Sequence, residues 1–283
     1  MKRMNIMLLM VMAAALGLFG CYQFWIHNNL DTVGPVITIE DGLLEVSVED
    51  PAEALMQGVR AEDARDGDVT AGVLIESVYG INENQESTVT YAAFDGAGNV
   101  TKAQRQIRYK DYHSPRFILN GSLTYPFGYR FDLMDNVGAM DVLEGDIRRR
   151  IHATLISDTK SIDAEGVHQV KLQVVNSLGD STQIVVPVEV YDPEWYNADV
   201  TLSDYLVYLE KGTWFDSRAY LKSFVVRGEP VDVSSTIPED ISLDINSNVQ
   251  MNEPGLYEVR YVLSQTVGMD TYTGMAKLIV IVE

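Results

Sequence analysis

The chain has 283 residues, with 21 Lys and Arg against 41 Asp and Glu, for a formal net charge of −20. That balance excludes nucleic acid as a partner, since such binding rests on neutralising phosphates with cations, and it disfavours docking on anionic lipid. A hydrophobic content of 46% allows packed cores in two or three domains.

The first segment differs in kind from the rest. Residues 4–26 carry no Asp, Glu, Lys or Arg, and a span of roughly 20 apolar residues crosses a bilayer core as a helix. Lys2 and Arg3 precede it, which predicts a cytoplasmic N-terminus and an exported remainder. Tyr22, Phe24 and Trp25 would form an interfacial aromatic belt. Residues 1–30 are therefore read as a single-pass membrane anchor. Two alternatives stand beside it: a lipoprotein signal in which Cys21, after Leu18-Phe19-Gly20, is lipidated, and a cleaved signal of a secreted protein. All three export the remainder of the chain. Cys21 is the one cysteine, so the exported part has no disulfide and no thiolate metal site.

Residues 33–111 form the first expected domain. Val36-Ile37-Thr38-Ile39 opens it as a strand after Gly34-Pro35. Residues 88–94, rich in β-branched and aromatic side chains, and residues 100–109 read as strands joined by the turn Asp95-Gly96-Ala97-Gly98-Asn99. Residues 113–191 repeat the plan. Residues 166–174 alternate apolar and polar, the turn is Asn176-Ser177-Leu178-Gly179-Asp180, and Pro187 marks the closing strand as an edge. On that alternation His168 falls on the polar, exposed side. Residues 193–283 form a diverged third domain. Gly212-Thr213-Trp214-Phe215-Asp216 there matches Gly128-Tyr129-Arg130-Phe131-Asp132.

The plainest self-similarity is a pattern, V-x-A-x-D-x-x-[DE]-G-D-[VI]. It occurs at Val59-Arg60-Ala61-Glu62-Asp63-Ala64-Arg65-Asp66-Gly67-Asp68-Val69 and again at Val137-Gly138-Ala139-Met140-Asp141-Val142-Leu143-Glu144-Gly145-Asp146-Ile147. Many short strands, close turns and little helical periodicity predict an all-β chain of tandem immunoglobulin-like β-sandwiches, preceded by one N-terminal transmembrane helix. Short linkers predict a semi-rigid rod.

With Val89-Thr90-Tyr91 leading into Asp95-x-x-Gly98-Asn99, the first copy resembles the bacterial surface immunoglobulin-like domains, the type found in Gram-positive cell-surface proteins and in pesticidal crystal toxin tails. The resemblance is fullest over 33–111 and extends to 113–191, with Glu144 in place of Asp. It implies non-catalytic modules that serve as stalks or as adhesion and glycan-contact surfaces. It implies no particular ligand, because one sandwich hosts many functions.

Three groups of residues are candidates for binding. Asp63, Asp66, Asp68, Asp95 and Asn99, with Asp141, Glu144, Asp146, Asn176 and Asp180 in the second copy, either pin turns through side-chain-to-backbone bonds or supply oxygens to calcium, which takes six to eight. No other cofactor is expected. Trp195, Tyr196 and Trp214 either pack a core and junction or stack on a sugar ring. Arg148-Arg149-Arg150 is either a solvated face or a contact for an anionic wall polymer. No H-E-x-x-H, G-x-S-x-G or P-loop motif occurs, so the chain is read as a non-enzyme. The expected role is a membrane-anchored stalk or adhesion surface at the cell envelope, or alternatively a reader of cell-wall glycan. Its partners would be the membrane and wall glycan or another surface protein.

Overall fold

In the computed structural model the described residues are 2–156, 162 and 164–283. The chain is mostly β-strand behind one apolar helix, Lys2–Asn29. Within that helix Ile6–Trp25 is long and apolar enough to cross a membrane, and none of it is covered by protein. A membrane anchor and a cleaved signal peptide share this property. The chain divides into two compact units, residues 1–111 and 112–283.

In the first unit, strand Val59–Asp63 lies between Val36–Ile39 and Gly67–Asp68. A second sheet runs Leu44–Val46, Val100–Tyr109, Glu86–Phe94, Leu74–Tyr79. Val59, Ala61, Val89, Tyr91 and Ile107 are buried, so every second residue of these strands faces inward. The Tyr91 hydroxyl donates to Leu55 O at 2.6 Å, and Arg105 donates to Leu55 O and Gln57 O, both at 2.8 Å. These bonds satisfy carbonyls of the 3-10 turn Ala52–Met56 that strands alone would leave unpaired.

The second unit opens with the same plan. One sheet is Gly145–Asp146, Val137–Asp141, Arg116–Leu119, and the other is His152–Leu155, Gly166–Val175, Ser181–Tyr191, Thr124–Pro126. Phe117, Val137, Leu172, Val186 and Val188 are fully buried between them. A seven-stranded sheet comes next, built around Asp270–Val282 and Gly255–Val267. In each segment a short strand pairs in parallel with the closing strand: Leu44–Val46 with Val100–Tyr109, Thr124–Pro126 with Ser181–Tyr191, and Leu206–Leu209 with Asp270–Val282, to which Ala198–Leu202 is also parallel. In the middle segment this partner reaches only residues 189–191, so Pro187, which has no N–H to give, sits where no neighbour asks for one.

His168 corrects the expectation of an exposed side chain. It is buried, and its Nε2 is 2.7 Å from Ala164 O. Val170, Leu172 and Val174 set the inward phase of the strand, and a period of two from Val170 carries His168 inside with them. Val167, the apolar neighbour, is the one left exposed.

Residues 113–191 and 193–283 share packing. Ile279 belongs to the core around Phe117 and Leu172, with Tyr205, Leu206 and Leu256 packed against it. Tyr208 accepts the Phe117 N–H at 2.9 Å. Lys277, only 4% exposed, sits between Glu189 at 2.6 Å and Glu258 at 3.0 Å. Removing one member of such a buried ionic group strands the others, at a cost of roughly 3–5 kcal/mol. Lys277→Ala is therefore expected to lower the stability of the second unit by about 3 kcal/mol in urea unfolding, while leaving the transition of the first unit in place. An unchanged second transition would contradict the ionic contact.

Candidate functional site

The repeated acidic pattern makes the same bonds in both copies. Asp63 Oδ1 accepts the N–H groups of Arg65 and Asp66 at 2.7 and 2.9 Å, and Asp141 Oδ1 accepts those of Leu143 and Glu144 at 2.9 and 3.0 Å. Asp66 Oδ2 accepts the Gly96 N–H, and Glu144 Oε1 that of Ser177, both at 2.6 Å. Asp68 and Asp146 accept from Thr70 and Arg148, both at 2.9 Å. Gly67 and Gly145 take φ of +76° and +72°, which the tight turn needs and a β-branched residue resists. Thus Asp66 and Glu144 tie the acidic turn to the hairpin of the other sheet, and Asp63 and Asp68 shape the turn itself.

These bonds favour the ionised carboxylates. The Asp66 and Arg65 N–H groups hold the Asp63 pKa below its ordinary value. The Thr70 hydroxyl and N–H do the same for Asp68. Burial works against the Asp95 carboxylate, yet the Asn99 amide and the N–H groups of Asn99, Ala97 and Gly98 bring its pKa down overall.

The two copies then part. In the first, Asp31, Asp63 and Asp95 each place an oxygen within 4.8 Å of the others. Oxygens 2.3–2.6 Å from one ion lie at most about 5 Å apart, so this set could coordinate a divalent cation such as calcium. It supplies three of the six to eight oxygens calcium takes. Asn99 joins through Nδ2, which donates to Asp95 Oδ2 at 2.7 Å and to Asp31 O at 3.2 Å. In the second copy Asn176 stands in the place of Asp95. Its amide donates to Asp141 Oδ2 and to the Tyr112 hydroxyl, both at 2.8 Å, and Tyr112 donates to Asp180 at 2.7 Å. A neutral amide and a phenol thus occupy the place where the first copy leaves opposed carboxylates.

Of the five residues expected from spacing, the fold brings together Asp63, Asp95 and Asn99. Asp66 turns to Gly96 and Asp68 to Thr70. Asp31 is the residue that spacing misses. It lies in the linker before Gly34-Pro35, 32 residues ahead of Asp63, and no local pattern announces it.

The aromatic candidates separate. Trp195 is 73% exposed and Trp214 75% exposed. The first lies beside Asn197, whose N–H reaches Thr273 O. The second comes after Lys211 and Gly212, which reach Glu283 O and Met251 O. Ten residue steps from 273 to 283 place the two anchoring points about 33 Å apart at 3.3 Å per residue, so they form no common platform. Trp195 lies between Tyr191 and Tyr196 in sequence. Tyr196 packs edge-on against Tyr191 at 5.3 Å and accepts from Arg260 at 2.9 Å. Phe127 donates its N–H to Tyr191 O at 2.7 Å, and both Phe127 and nearby Tyr129 are exposed. Tyr205 packs against both cores of the second unit, and Tyr220 stacks on Phe215 beside the second.

His113 and His168 each meet a backbone carbonyl, of Ser114 and Ala164, and His152 is exposed. The sequence carries no H-E-x-x-H, G-x-S-x-G or P-loop motif beside them.

No protein-family model matches the sequence, and no curated protein matches it. Among solved structures the chain is similar to CBM51-2, in complex with GlcNAc, and INT domains from Clostridium perfringens ZmpB. That match has 15% identity and a TM-score of 0.22, over 54% of this chain and 41% of that one. It is similar to the protocadherin gamma B4 extracellular domain at 12% identity and TM-score 0.21, over 88% and 49%. It is similar also to extracellular cadherin domains 3–6 of protocadherin gamma B2 at 10% identity and TM-score 0.21, over 88% and 73%. The chain spans less than half of the first two.

Two outcomes are expected. Because Asp63, Asp68 and Asp95 have lowered pKa values in the folded state, their stabilisation is complete above the ordinary Asp value of 3.8 and is lost as pH falls through the lowered values. Thermal unfolding of the first unit should weaken over that acid range, and Asp63→Asn should flatten the dependence. Gly67→Val should destabilise the same unit by about 1–2 kcal/mol through strain at positive φ. An unchanged melting temperature in that variant would rule out the tight turn as a requirement.

Proposed function

We infer that the chain is a non-catalytic, extracytoplasmic protein, tethered by its N-terminal helix, whose modules present a glycan-binding surface at the cell envelope. The exposure of Trp195 beside the Tyr191–Tyr196 pair carries this reading. A large indole left in water at a bend, with Phe127 and Tyr129 exposed nearby, is surface that folding alone does not use. Sugar rings offer a flat C–H face to such a ring, and Arg260, held against Tyr196, supplies a nearby donor. Lys2 and Arg3 ahead of the apolar helix support a cytoplasmic N-terminus with the β-rich part outside, and Cys21, exposed on the helix, is the lipid acceptor if the segment is processed as a lipoprotein signal.

In this reading residues 33–111, 113–191 and 193–283 are successive immunoglobulin-like modules of the bacterial surface type, the last two packed as one unit. A second reading, a calcium-stiffened adhesion stalk, has one observation in its favour, the convergence of Asp31, Asp63 and Asp95. It expects calcium, compared with chelator, to raise the melting temperature of the first unit by linkage, and Asp95→Asn, which copies the second module, to abolish that rise.

Outside the helix the chain has only Trp195 and Trp214. In a Trp25→Phe, Trp214→Phe background, indole fluorescence therefore reports Trp195 alone. Glucose- and N-acetylglucosamine-based oligosaccharides are expected to shift that emission, and Trp195→Ala to reduce retention on insoluble wall polysaccharide by on the order of tenfold, about 1.4 kcal/mol. Equal retention by Trp195→Ala and the parent would refute the glycan reading.

A further inference from the structure

The turn after the acidic pattern is built twice with different side chains. In the first copy it is Thr70–Gly72, in the second Arg148–Arg150. The backbones agree. Val69 and Ile147 have φ, ψ of −110°, 16° and −112°, 22°. Val69 N–H reaches Ala61 O and Ile147 N–H reaches Ala139 O, each at 3.0 Å, and each turn closes with the same two i-to-i+3 bonds. A hydroxyl, a methyl and a hydrogen thus suffice for this turn, so three adjacent cations, which repel one another, are not there to build it.

Only one of the three is spent. Arg150 forks onto both oxygens of Glu144, at 3.1 and 2.5 Å. Among the described residues Arg148 and Arg149 have no carboxylate partner within salt-bridge distance, and both are exposed. Arg148 lies over Gly138, where its Nη2 is 3.4 Å from the place a Cβ would occupy. The three arginines line a cleft of about 580 Å³ with Glu144, Asp146 and Ile147. Asp146 is the nearby acid, and its Oδ1 already accepts the Arg148 N–H. On a chain of net charge −20 an anion is repelled over most of the surface, so a cationic cleft is a local exception. Guanidinium forks match the paired oxygens of phosphate and carboxylate, and a cleft of about 580 Å³ has room for more than a single such group.

We propose that the Arg148–Arg149 cleft binds an anionic envelope polymer through the phosphate or carboxylate groups of its repeating units. This site is separate from the Trp195 edge and does not depend on it. The test uses the full chain in neutral detergent, with immobilised poly(glycerol phosphate), polygalacturonate, polyglutamate and dextran. The variant is Arg148→Thr with Arg149→Ala, the residues of the first copy, which keep the turn. The wild type is expected to bind poly(glycerol phosphate) or polygalacturonate in a salt-sensitive manner, whichever is bound identifying the group. The variant is expected to bind it on the order of tenfold more weakly at an unchanged melting temperature. Should that variant melt lower, Arg148→Gln with Arg149→Gln provides the same comparison. Binding to neither polymer, undiminished binding by a stably folded variant, equal binding to dextran, or binding to polyglutamate alone would overturn the proposal.

Discussion

A carboxylate accepting backbone N–H groups from a neighbouring hairpin is the interaction on which the two repeated modules depend. The β-rich part has no cysteine and so no disulfide, and the ends of its sheets must be held by other means. Asp66 on Gly96 and Glu144 on Ser177 hold them, while Asp63 and Asp141 fold the turn that brings these acids into reach. Charge-assisted bonds of this kind are stronger than neutral ones. They also place acids where two loops meet, and so create the setting for any ion site.

Comparison of the two copies separates what the fold needs from what it tolerates. The bonds made by Asp63, Asp66 and Asp68 recur with Asp141, Glu144 and Asp146, and are structural. The positions that change are informative in another way. Asp95 becomes Asn176, which turns a pair of opposed carboxylates into an internally satisfied network with Tyr112. Thr70–Gly72 becomes Arg148–Arg150 with the backbone unaltered. Side chains that vary on a constant backbone are free to serve contacts outside the module.

The third segment, residues 193–283, carries no copy of the acidic pattern and is held in another way. Its closing strand pairs in parallel with Leu206–Leu209, as in the other two segments, and it packs Ile279 into the core of its neighbour. Lys277 between Glu189 and Glu258 completes that contact. The segment has its own core around Phe224 and Tyr261, and its burial against residues 113–191 makes the second unit larger than the repeat.

Much of this was legible in the chain itself. The V-x-A-x-D-x-x-[DE]-G-D-[VI] repeat, its turn glycines at positive φ, the strands on either side and the apolar helix all arise from local chemistry: side-chain period, short-range Asp-to-backbone bonds and run length act between residues close in sequence. What tertiary structure alone decided acts between residues far apart. It brought Asp31 to Asp63 and Asp95 from the linker, parted Trp195 from Trp214 along one strand, and joined residues 113–191 to 193–283 through Ile279 and Lys277. None of these leaves a spacing signal, because each depends on which strands become neighbours, and that is settled by burial of the whole core.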